Sequence, residues 1–300
     1  MIGSTLSKPT TLTVGSPQGS ILSPTLFLVL ISDIELWCPD ATLCGYADDT
    51  SCTITNKDLK TLQINCEEKV NNLLNYMAVN RLSANDDKTK ILVMKHGNVE
   101  DELIFSIGNF EVKESIDEKL LGMWVSNNLQ WSKHLEELED DLSFRLYTIR
   151  KLEQSFPKSL LKRIADAIFN SVLRYGLAIF CPIRTNEGDP IPKCINGIRV
   201  LFNNLLRLLC NSKRSQHTSI KSMLEKVGWL SINQLACEVR LIETWKALYQ
   251  EEYCLKEIFE RVDSRISPRS ENQIRLKSSF RTKILNSPKL HLSAFCWHIF

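Results

Sequence analysis

The stretch Leu43–Cys52 constrains this chain more than any other, because it has the pattern of a β-hairpin with two adjacent carboxylates at its tip. Apolar residues lead into the stretch, and the β-favouring run Ser51–Thr55 leaves it. Aspartate is poor inside strands and good in turns, so we predict the turn at Ala47–Asp49. A hard cation such as Mg²⁺ would offset the repulsion between the neighbouring carboxylates. For the pair taken alone, a solvated Asp-Asp turn is the simpler alternative.

A second constrained stretch, Gly15–Pro24, lies upstream and runs into the apolar segment Thr25–Ile31. Its glycines and prolines predict an irregular loop whose backbone can be approached closely. Ser23 is expected to cap the helix that follows, with Pro24 at the first helical position. The residues alone therefore predict a loop, a cap and a buried helix that is too short to span a bilayer. This interpretation does not explain the polar Gln18 in the loop.

Four segments, in order, resemble motifs of the reverse transcriptases of non-LTR (LINE-type) retrotransposons. Gly15–Pro24 is similar to motif B of that family, and Tyr46–Asp49 is similar to motif C. Leu82–Val93 resembles motif D, and Leu120–Val125 resembles motif E and the start of the thumb. The resemblance is specific over about the first half of the chain, and the second half matches in general character only.

The resemblance implies a polymerase that uses an RNA template, a DNA primer and deoxynucleoside triphosphates. Asp48 and Asp49 would be catalytic and would bind Mg²⁺ or Mn²⁺ for nucleotidyl transfer by a two-metal mechanism. The substrate-binding positions that the resemblance implies are Gln18, Gly19, Tyr46, Ala47, Lys88, Leu121 and Gly122. Lys88 would approach the phosphates of the incoming nucleotide, whereas without the resemblance it would be interpreted as a surface lysine.

The fold class predicted is α+β, with a partial polymerase palm followed by an all-helical thumb-like and C-terminal region. The palm, an antiparallel sheet with packed helices, is placed at 1–131 and the helical thumb-like region at 132–185. A C-terminal helical region follows at 186–260, and a basic tail at 261–300 is either flexible and in contact with nucleic acid or merely solvated.

Apolar periodicity and turn residues predict the individual elements. A helix is expected over 58–80, with an apolar stripe at Leu59, Leu62, Cys66, Val70, Leu73 and Met77. Strands are expected at Thr11–Val14, Lys90–Met94, Leu103–Ile107, Phe110–Val112 and Leu120–Val125, with a hairpin turn at Gly108-Asn109. The core candidates of the C-terminal helical region are Trp229, Leu235, Val239, Ile242, Trp245 and Leu248.

Composition limits the classes of protein and site. The net charge is only +2 over 300 residues, so no general basic signal points to nucleic acid. The ten cysteines include no Cys-x-x-Cys pair, which argues against a zinc ribbon or a dithiol redox site. We interpret them as reduced thiols of an intracellular protein, nuclear or cytoplasmic, that is not secreted and does not use a membrane.

The resemblance also implies a fingers region and a motif A, with a further metal-binding aspartate, before motif B. The residues before Gly15 leave no room for either, so we expect an N-terminally truncated chain that is inactive unless a second chain supplies them. Asp33, Asp40 and Asp86 are poor substitutes because none stands in a strand context that resembles motif A. The alternatives are a non-catalytic nucleic-acid-binding remnant and an inert, degenerate fragment.

Overall fold

The computed structural model describes residues 15, 19–85, 88–95, 102–181, 193–250, 259–261, 274–276 and 292–297. The chain divides into two compact units, Met1–Glu118 with Lys289–Phe300 and Lys119–Pro288. Helices and sheets both occur, so the prediction of a mixed fold is confirmed. Within the described ranges, no helix is long and apolar enough to cross a membrane. The cysteines between Cys38 and Cys237 are all free thiols.

The strands are β1 (Thr42–Tyr46), β2 (Asp49–Asn56), β3 (Lys90–Met94), β4 (Ile104–Ile107), β5 (Phe110–Ser115), β6 (Asp117–Leu120), β7 (Met123–Ser126), β8 (Phe259–Arg261), β9 (Ile274–Leu276) and β10 (Leu292–Trp297). The helices are α1 (Ser23–Leu30), α2 (Leu59–Val79), α3 (Ser132–Leu152), α4 (Lys158–Ala165), α5 (Ser171–Arg174), α6 (Leu177–Phe180), α7 (Asn196–Cys210), α8 (Ile220–Val227) and α9 (Ile232–Tyr249). A π-helical turn, Asp166–Asn170, joins α4 to α5.

The sheet of the first unit has the strand order β1-β2-β10-β3-β5-β4. Its ladders are antiparallel except the one between β3 and β5, which is parallel, so the predicted all-antiparallel sheet is wrong at that point. The sequence interpretation placed no strand at Leu292–Trp297, yet β10 lies between β2 and β3. Pairing between strands so distant in sequence leaves no local signal, because the neighbours of a central strand are set by the tertiary fold.

Helix α2 covers the inner face of this sheet. All but one of the six predicted stripe residues are buried, together with Tyr76; the exception, Leu59, is partly buried and packs against the same core. Along β2 the buried residues alternate, with Thr50, Cys52 and Ile54 facing inward. Each fully buried aliphatic side chain contributes about 1.5–3 kcal/mol. Packing of α2 on alternate residues of β2 thus supplies much of the core of the first unit.

Helix α1 forms where it was predicted but not as predicted. Leu22 rather than Ser23 takes the capping position, and no side chain caps the helix. None of its residues is buried, so the expectation of a buried helix is wrong. The end of α1 and the segment after it are instead attached to α2 through the Tyr76 hydroxyl, which lies 2.9 Å from Leu30 O and 2.8 Å from Asp33 Oδ1. Burial and the Asp33 carboxylate raise the pKa of Tyr76 to about 12.

The second unit is organised around a helical core to which α3 and α7 contribute most. The spacing of apolar residues predicts one stripe at Leu135, Leu138, Leu142, Ile149 and Leu152, and all of these are buried in α3 except Leu152, which is partly buried. It predicts another at Ile195, Ile198, Phe202, Leu205 and Leu209, and all five are buried, with Ile195 just before the start of α7. In α9 the prediction is wrong for Ile242 and Trp245, which are 47% and 56% exposed. The helix buries the predicted Leu235, and it also buries Ile232, Ala236 and Ala247, which were not predicted.

Two glycines of the second unit share a backbone conformation but not their surroundings. Gly176 has φ +68° and Gly228 has φ +72°. A Cβ at Gly176 would lie 2.5 Å from Met123 Sδ, whereas at Gly228 the nearest atom, Lys162 Nζ, would be 3.9 Å away.

We therefore expect Gly176→Ala to destabilise the second unit more than Gly228→Ala. Both changes lose about 1–2 kcal/mol to the left-handed backbone, and Gly176→Ala loses a further 1–3 kcal/mol, roughly, to overpacking. Urea unfolding followed by far-ultraviolet circular dichroism measures both. Equal losses in the two variants would show that the Met123 contact has no energetic weight.

His134 gives the second unit a pH dependence. The side chain is 7% exposed, its ring packs edge-on against Trp131 and Phe180, and burial lowers its pKa, with Glu137 opposing and Lys119 reinforcing the shift. The unfolded chain takes up a proton below about pH 6.5 while the native imidazole stays neutral. The free energy of unfolding should therefore fall as the pH drops from about 6.5 towards the native pKa.

The pH dependence is measured by urea unfolding between about pH 7 and pH 5, a range that brackets the ordinary histidine pKa. His134→Phe should flatten the curve, because it removes the titrating group and keeps the ring contacts. The exposed His217 provides the control, and His217→Asn should leave the slope unchanged. An unchanged slope in His134→Phe would assign the pH dependence to other groups.

Candidate active site

The β1–β2 hairpin has the shortest possible connection. Tyr46 pairs with Asp49, which leaves Ala47 and Asp48 as the loop, so the predicted turn is confirmed. Ala47 has φ +55°, a left-handed conformation that costs a residue with a side chain about 1–2 kcal/mol. Such strain persists only where the surrounding structure imposes it, and it is found at functional sites more often than elsewhere.

The pleat of the hairpin separates its two faces. Asp49 and Ser51 lie on the face opposite to the buried Thr50 and Cys52, because side chains alternate along a strand. The cross-strand partner of Asp49 is Tyr46, whose side chain is 66% exposed. Asp48 is exposed in the loop, and Asp49 is half-buried. The face away from α2 therefore carries the Asp49 carboxylate and the Tyr46 phenol ring, and the exposed Asp48 precedes them in the loop.

The donor set at the tip fits a magnesium ion held partly by substrate. Mg²⁺ is commonly bound through one or two carboxylates together with substrate phosphates. Among the residues that the structure describes, no group of three or more His, Cys, Asp or Glu side chains is placed to hold a metal ion. The strand beside β2, Leu292–Trp297, contains no acidic residue. Asp48 and Asp49 thus suit a metal that arrives with its phosphates, and they do not form a closed protein cage.

Lys88 lies at the same end of the sheet as the hairpin tip. It is exposed in the turn before β3, where its backbone N–H donates to Asn85 O at 3.1 Å. Within the ladders Cys296 pairs with Cys52 on one side and with Ile91 on the other. The start of β3 is therefore level with the start of β2, about 10 Å away across β10. The structure brings Lys88 to the edge of the sheet that carries Asp48 and Asp49.

Of the predicted loop in the second stretch, the structure describes residue 15 and the residues from 19 onward. Gly15 has φ +81° and Gly19 has φ +82°, and a Cβ at either would meet no atom within 4 Å. Their backbone conformation, rather than a lack of space, therefore explains the two glycines. The predictions for Gln18, for Asp86 and for a strand at Thr11–Val14 lie outside the described residues.

Leu121 and Gly122 belong to the second unit, and there the predicted strand Leu120–Val125 is wrong. The chain forms the β6–β7 hairpin instead, with φ +46° at Leu121 and +84° at Gly122 in its loop. Positive φ at both loop residues is typical of a tight hairpin turn and cannot continue a strand. The Leu121 carbonyl accepts a hydrogen bond from the Tyr175 hydroxyl, which anchors the turn.

The family model for reverse transcriptase (RNA-dependent DNA polymerase) matches residues 2–154. The chain belongs to this family. A reverse transcriptase of this kind is also what the four ordered motifs predicted, so that prediction is confirmed at the level of the family. The match spans the whole β1–β2 hairpin with Asp48 and Asp49, as well as Lys88 and the β6–β7 turn.

The chain is also similar to a protein encoded by a mobile element. The chain is 23% identical over 205 residues to the RNA-directed DNA polymerase from mobile element jockey of Drosophila melanogaster. The aligned part is 64% of this chain and 21% of that relative, so the chain spans about a fifth of the relative's length. No solved structure matches the chain.

The sequence interpretation missed two lysines, Lys119 and Lys133, that lie beside the Trp124 ring of the β6–β7 hairpin. Lys133 Nζ lies 3.6 Å from the centroid of the Trp124 ring, and Lys119 Nζ lies 5.7 Å from it. Lys119 also forms an ion pair with Glu137 at 3.4 Å. The Trp124 indole N–H, which points towards Glu137 without full hydrogen-bond geometry, and the two lysines lower the pKa of that carboxyl. The sequence signal was a tryptophan flanked by lysines, which is too common to be diagnostic.

The strain at Ala47 can be tested with a pair of glycine substitutions. Ala47→Gly removes a left-handed penalty of about 1–2 kcal/mol and adds about 0.5–1 kcal/mol of chain entropy, so it should stabilise the hairpin slightly. Ala78→Gly, at an exposed position of α2, should destabilise by about 0.5–1 kcal/mol. Urea-dependent hydrogen exchange of the β2 amides reports both. A loss of stability in Ala47→Gly would show that Ala47 is not strained.

Proposed function

We propose that this chain is part of the RNA-directed DNA polymerase of a non-LTR retrotransposon and that Asp48 and Asp49 are its catalytic, metal-binding carboxylates. The observation that carries the proposal is the strained two-residue turn that exposes Asp48 and begins β2 at Asp49, on the face away from the core. The family match and the similarity to the jockey polymerase support the same activity.

In the reaction proposed, the primer 3′-hydroxyl oxygen attacks the α-phosphorus of a deoxynucleoside triphosphate, and pyrophosphate leaves. Asp48 and Asp49 would hold Mg²⁺ or Mn²⁺, and the chemistry so supplied is a lowered pKa of the primer hydroxyl and neutralisation of phosphate charge in a two-metal mechanism. Asp48 is exposed and reaches substrate-bound ligands most directly. Asp49 is fixed by the ladder opposite Tyr46.

The other contacts are proposed from the resemblance to the family, and for Lys88 its place in the sheet supports the proposal. Lys88 lies at the same sheet end as the tip, and we place its ammonium against the phosphates of the incoming nucleotide. Tyr46 and Ala47 support the tip near the primer end, and Gly19, together with Gln18, shapes the floor below the template and the incoming base. The Leu121-Gly122 turn contacts the primer strand, chiefly through its backbone.

The carboxylate set of the described residues is incomplete for two metal ions. Two-metal sites clamp both the attacking and the leaving oxygen, which takes more ligands than the hairpin provides. Asp33 is engaged by Tyr76, and Asp40 lies 3.6 Å from Lys69 Nζ, so neither replaces the missing ligand at the tip. The proposal is therefore that a further carboxylate comes from a segment outside the described residues or from a second chain with the fingers and motif A.

A manganese titration tests the assignment of the carboxylates without requiring turnover. Paramagnetic Mn²⁺ should broaden the amide signals of Ala47–Thr50 in the wild-type chain, and the Asp48→Asn, Asp49→Asn double variant should lose the effect. Asp140→Asn, at an exposed position of α3, is the matched control and should retain it. Equal broadening at the tip in all three proteins would show that Asp48 and Asp49 do not bind the metal ion.

Primer extension on an RNA template tests the completeness of the site. We expect no extension by the isolated chain, and retained binding of the template–primer duplex. Extension that falls by about a hundredfold or more in the Asp48→Asn, Asp49→Asn variant would support the catalytic role and overturn the proposed incompleteness. Salt-dependent duplex binding without any manganese site would favour a non-catalytic binding protein instead. An inert remnant would show neither duplex binding nor a metal site.

A further inference from the structure

The β6–β7 turn is held by a short segment of the second unit, Tyr175-Gly176, which joins α5 to α6. The Tyr175 hydroxyl donates a hydrogen bond to Leu121 O. The Tyr175 ring lies beside Gly122, where a Cβ would be 3.7 Å from Cε1. Gly176 packs so closely on Met123 that a Cβ there would lie 2.5 Å from Sδ. Consecutive residues of the hairpin therefore contact consecutive residues of this segment.

The hydrogen bond to Leu121 O fixes the peptide group between the two loop residues. Leu121 and Gly122 lie between the end of β6 and the start of β7, so this peptide is outside both strands. The C=O and N–H of a trans peptide point to opposite sides of the chain. A carbonyl bound to Tyr175 thus directs the Gly122 N–H away from Tyr175. The turn presents one oriented backbone donor on a residue that has no side chain.

A backbone N–H held in this way suits a phosphate oxygen of a nucleic-acid strand. Backbone amides are among the groups that contact phosphates, and such contacts fix the position of a strand without reading its sequence. Glycine allows a ligand to approach the chain closely. Lys133 Nζ lies 3.6 Å from the centroid of the Trp124 ring on the same hairpin and adds positive charge beside the turn. An anionic ligand therefore matches both the donor and the charge.

Helix α9 holds the segment that carries Tyr175. Arg240 Nε donates to Ala178 O at 3.0 Å, and a second nitrogen of the same guanidinium donates to Cys181 O. The last carbonyls of a helix have no partner within it, so this guanidinium satisfies the end of α6. The Arg174–Glu238 ion pair, at 3.1 Å, joins α5 to α9, but its side chains are 49% and 40% exposed. Exposed pairs contribute little, so Arg240 is the main support.

We propose that Tyr175 is a positioning residue for the primer strand: through Leu121 O it directs the Gly122 N–H at a primer phosphate, and Arg240 keeps Tyr175 in place. This role rests on the proposed contact between the turn and the primer. Tyr175 and Arg240 both lie beyond residues 2–154, which the family model matches. The C-terminal helical region thereby takes part in substrate binding through α9.

The first measurement is the chemical shift of the Leu121 carbonyl carbon in the full chain, without nucleic acid. Tyr175→Phe keeps the ring and removes the hydroxyl, so the signal should move upfield as the hydrogen bond is lost. Tyr175→para-aminophenylalanine restores a donor at the same ring position and should return the signal towards its original value. Tyr147→Phe, which removes an exposed hydroxyl of α3, is the matched control and should leave it unchanged.

The support from α9 is tested with a second pair of variants. Arg240→Lys keeps the positive charge and loses the planar fork that reaches two carbonyls, so it should move the Leu121 signal in the same direction as Tyr175→Phe. Glu238→Gln breaks only the exposed ion pair of the same helix and should have no effect. Equal shifts in Arg240→Lys and Glu238→Gln would overturn the role of Arg240, and an unmoved signal in Tyr175→Phe would overturn that of Tyr175.

The second measurement separates the positioning role from the proposed primer contact. Affinity is compared for an RNA template with a recessed DNA primer and for a blunt RNA–DNA duplex of the same length. The wild-type chain should prefer the recessed primer, and Tyr175→Phe should reduce this preference by about threefold or more, as loss of one hydrogen bond implies. Affinity for the blunt duplex should not change, and Tyr175→para-aminophenylalanine should restore the preference.

The outcomes distinguish the two proposals. A wild-type chain without preference for the recessed primer would overturn the contact between the turn and the primer, whatever the carbonyl signal shows. A wild-type preference that Tyr175→Phe leaves intact would overturn the positioning role alone. Equal loss of affinity for both duplexes in Tyr175→Phe would also overturn it, because the effect would then be a general one on the second unit.

Discussion

Burial of alternate side chains along β2 is the constraint on which the first unit depends. Thr50, Cys52 and Ile54 pack towards α2, and the pleat then sends Asp49 and its partner Tyr46 to the opposite face. A slip of one residue would turn the Asp49 carboxylate into the core, where an unpaired charge costs several kcal/mol or more. Burial on one face of β2, driven chiefly by Cys52 and Ile54, thereby fixes which way the Asp49 carboxylate points.

The same constraint explains why the hairpin turn is so short. The register that buries Cys52 pairs Tyr46 with Asp49 and leaves only Ala47 and Asp48 to reverse the chain. A two-residue connection requires positive φ, which Ala47 adopts at some cost in energy. Packing of the buried face of β2 against α2 offsets this local strain. The exposed position of Asp48 therefore depends on contacts made on the opposite face of the sheet.

Local sequence patterns predicted helices, buried stripes and turns well where these depend on the residues of a single element. The 3.6-residue period of α2 and α3 located their buried stripes, and the Gly108-Asn109 turn lies between β4 and β5 as predicted. The predictions failed where the packing of other elements decides whether a side chain is buried. α1 is apolar but has no buried residue, and Trp245 of α9 is exposed although its spacing suits a core position. Apolarity indicates that a side chain prefers burial, but only the arrangement of other elements shows whether anything covers it.

The sequence by itself determined the adjacent carboxylates, the hairpin that presents them, the order of the four motifs and the family to which they belong. Those features are encoded within a few residues of one another, where turn chemistry and strand alternation act directly. The tertiary structure alone decided that Lys88 shares a sheet end with Asp48, that Leu121-Gly122 is a turn, and that β10 is the central neighbour of β2. These outcomes depend on backbone pairing between distant segments, and each strand carries only its own half of the hydrogen bonds that join them.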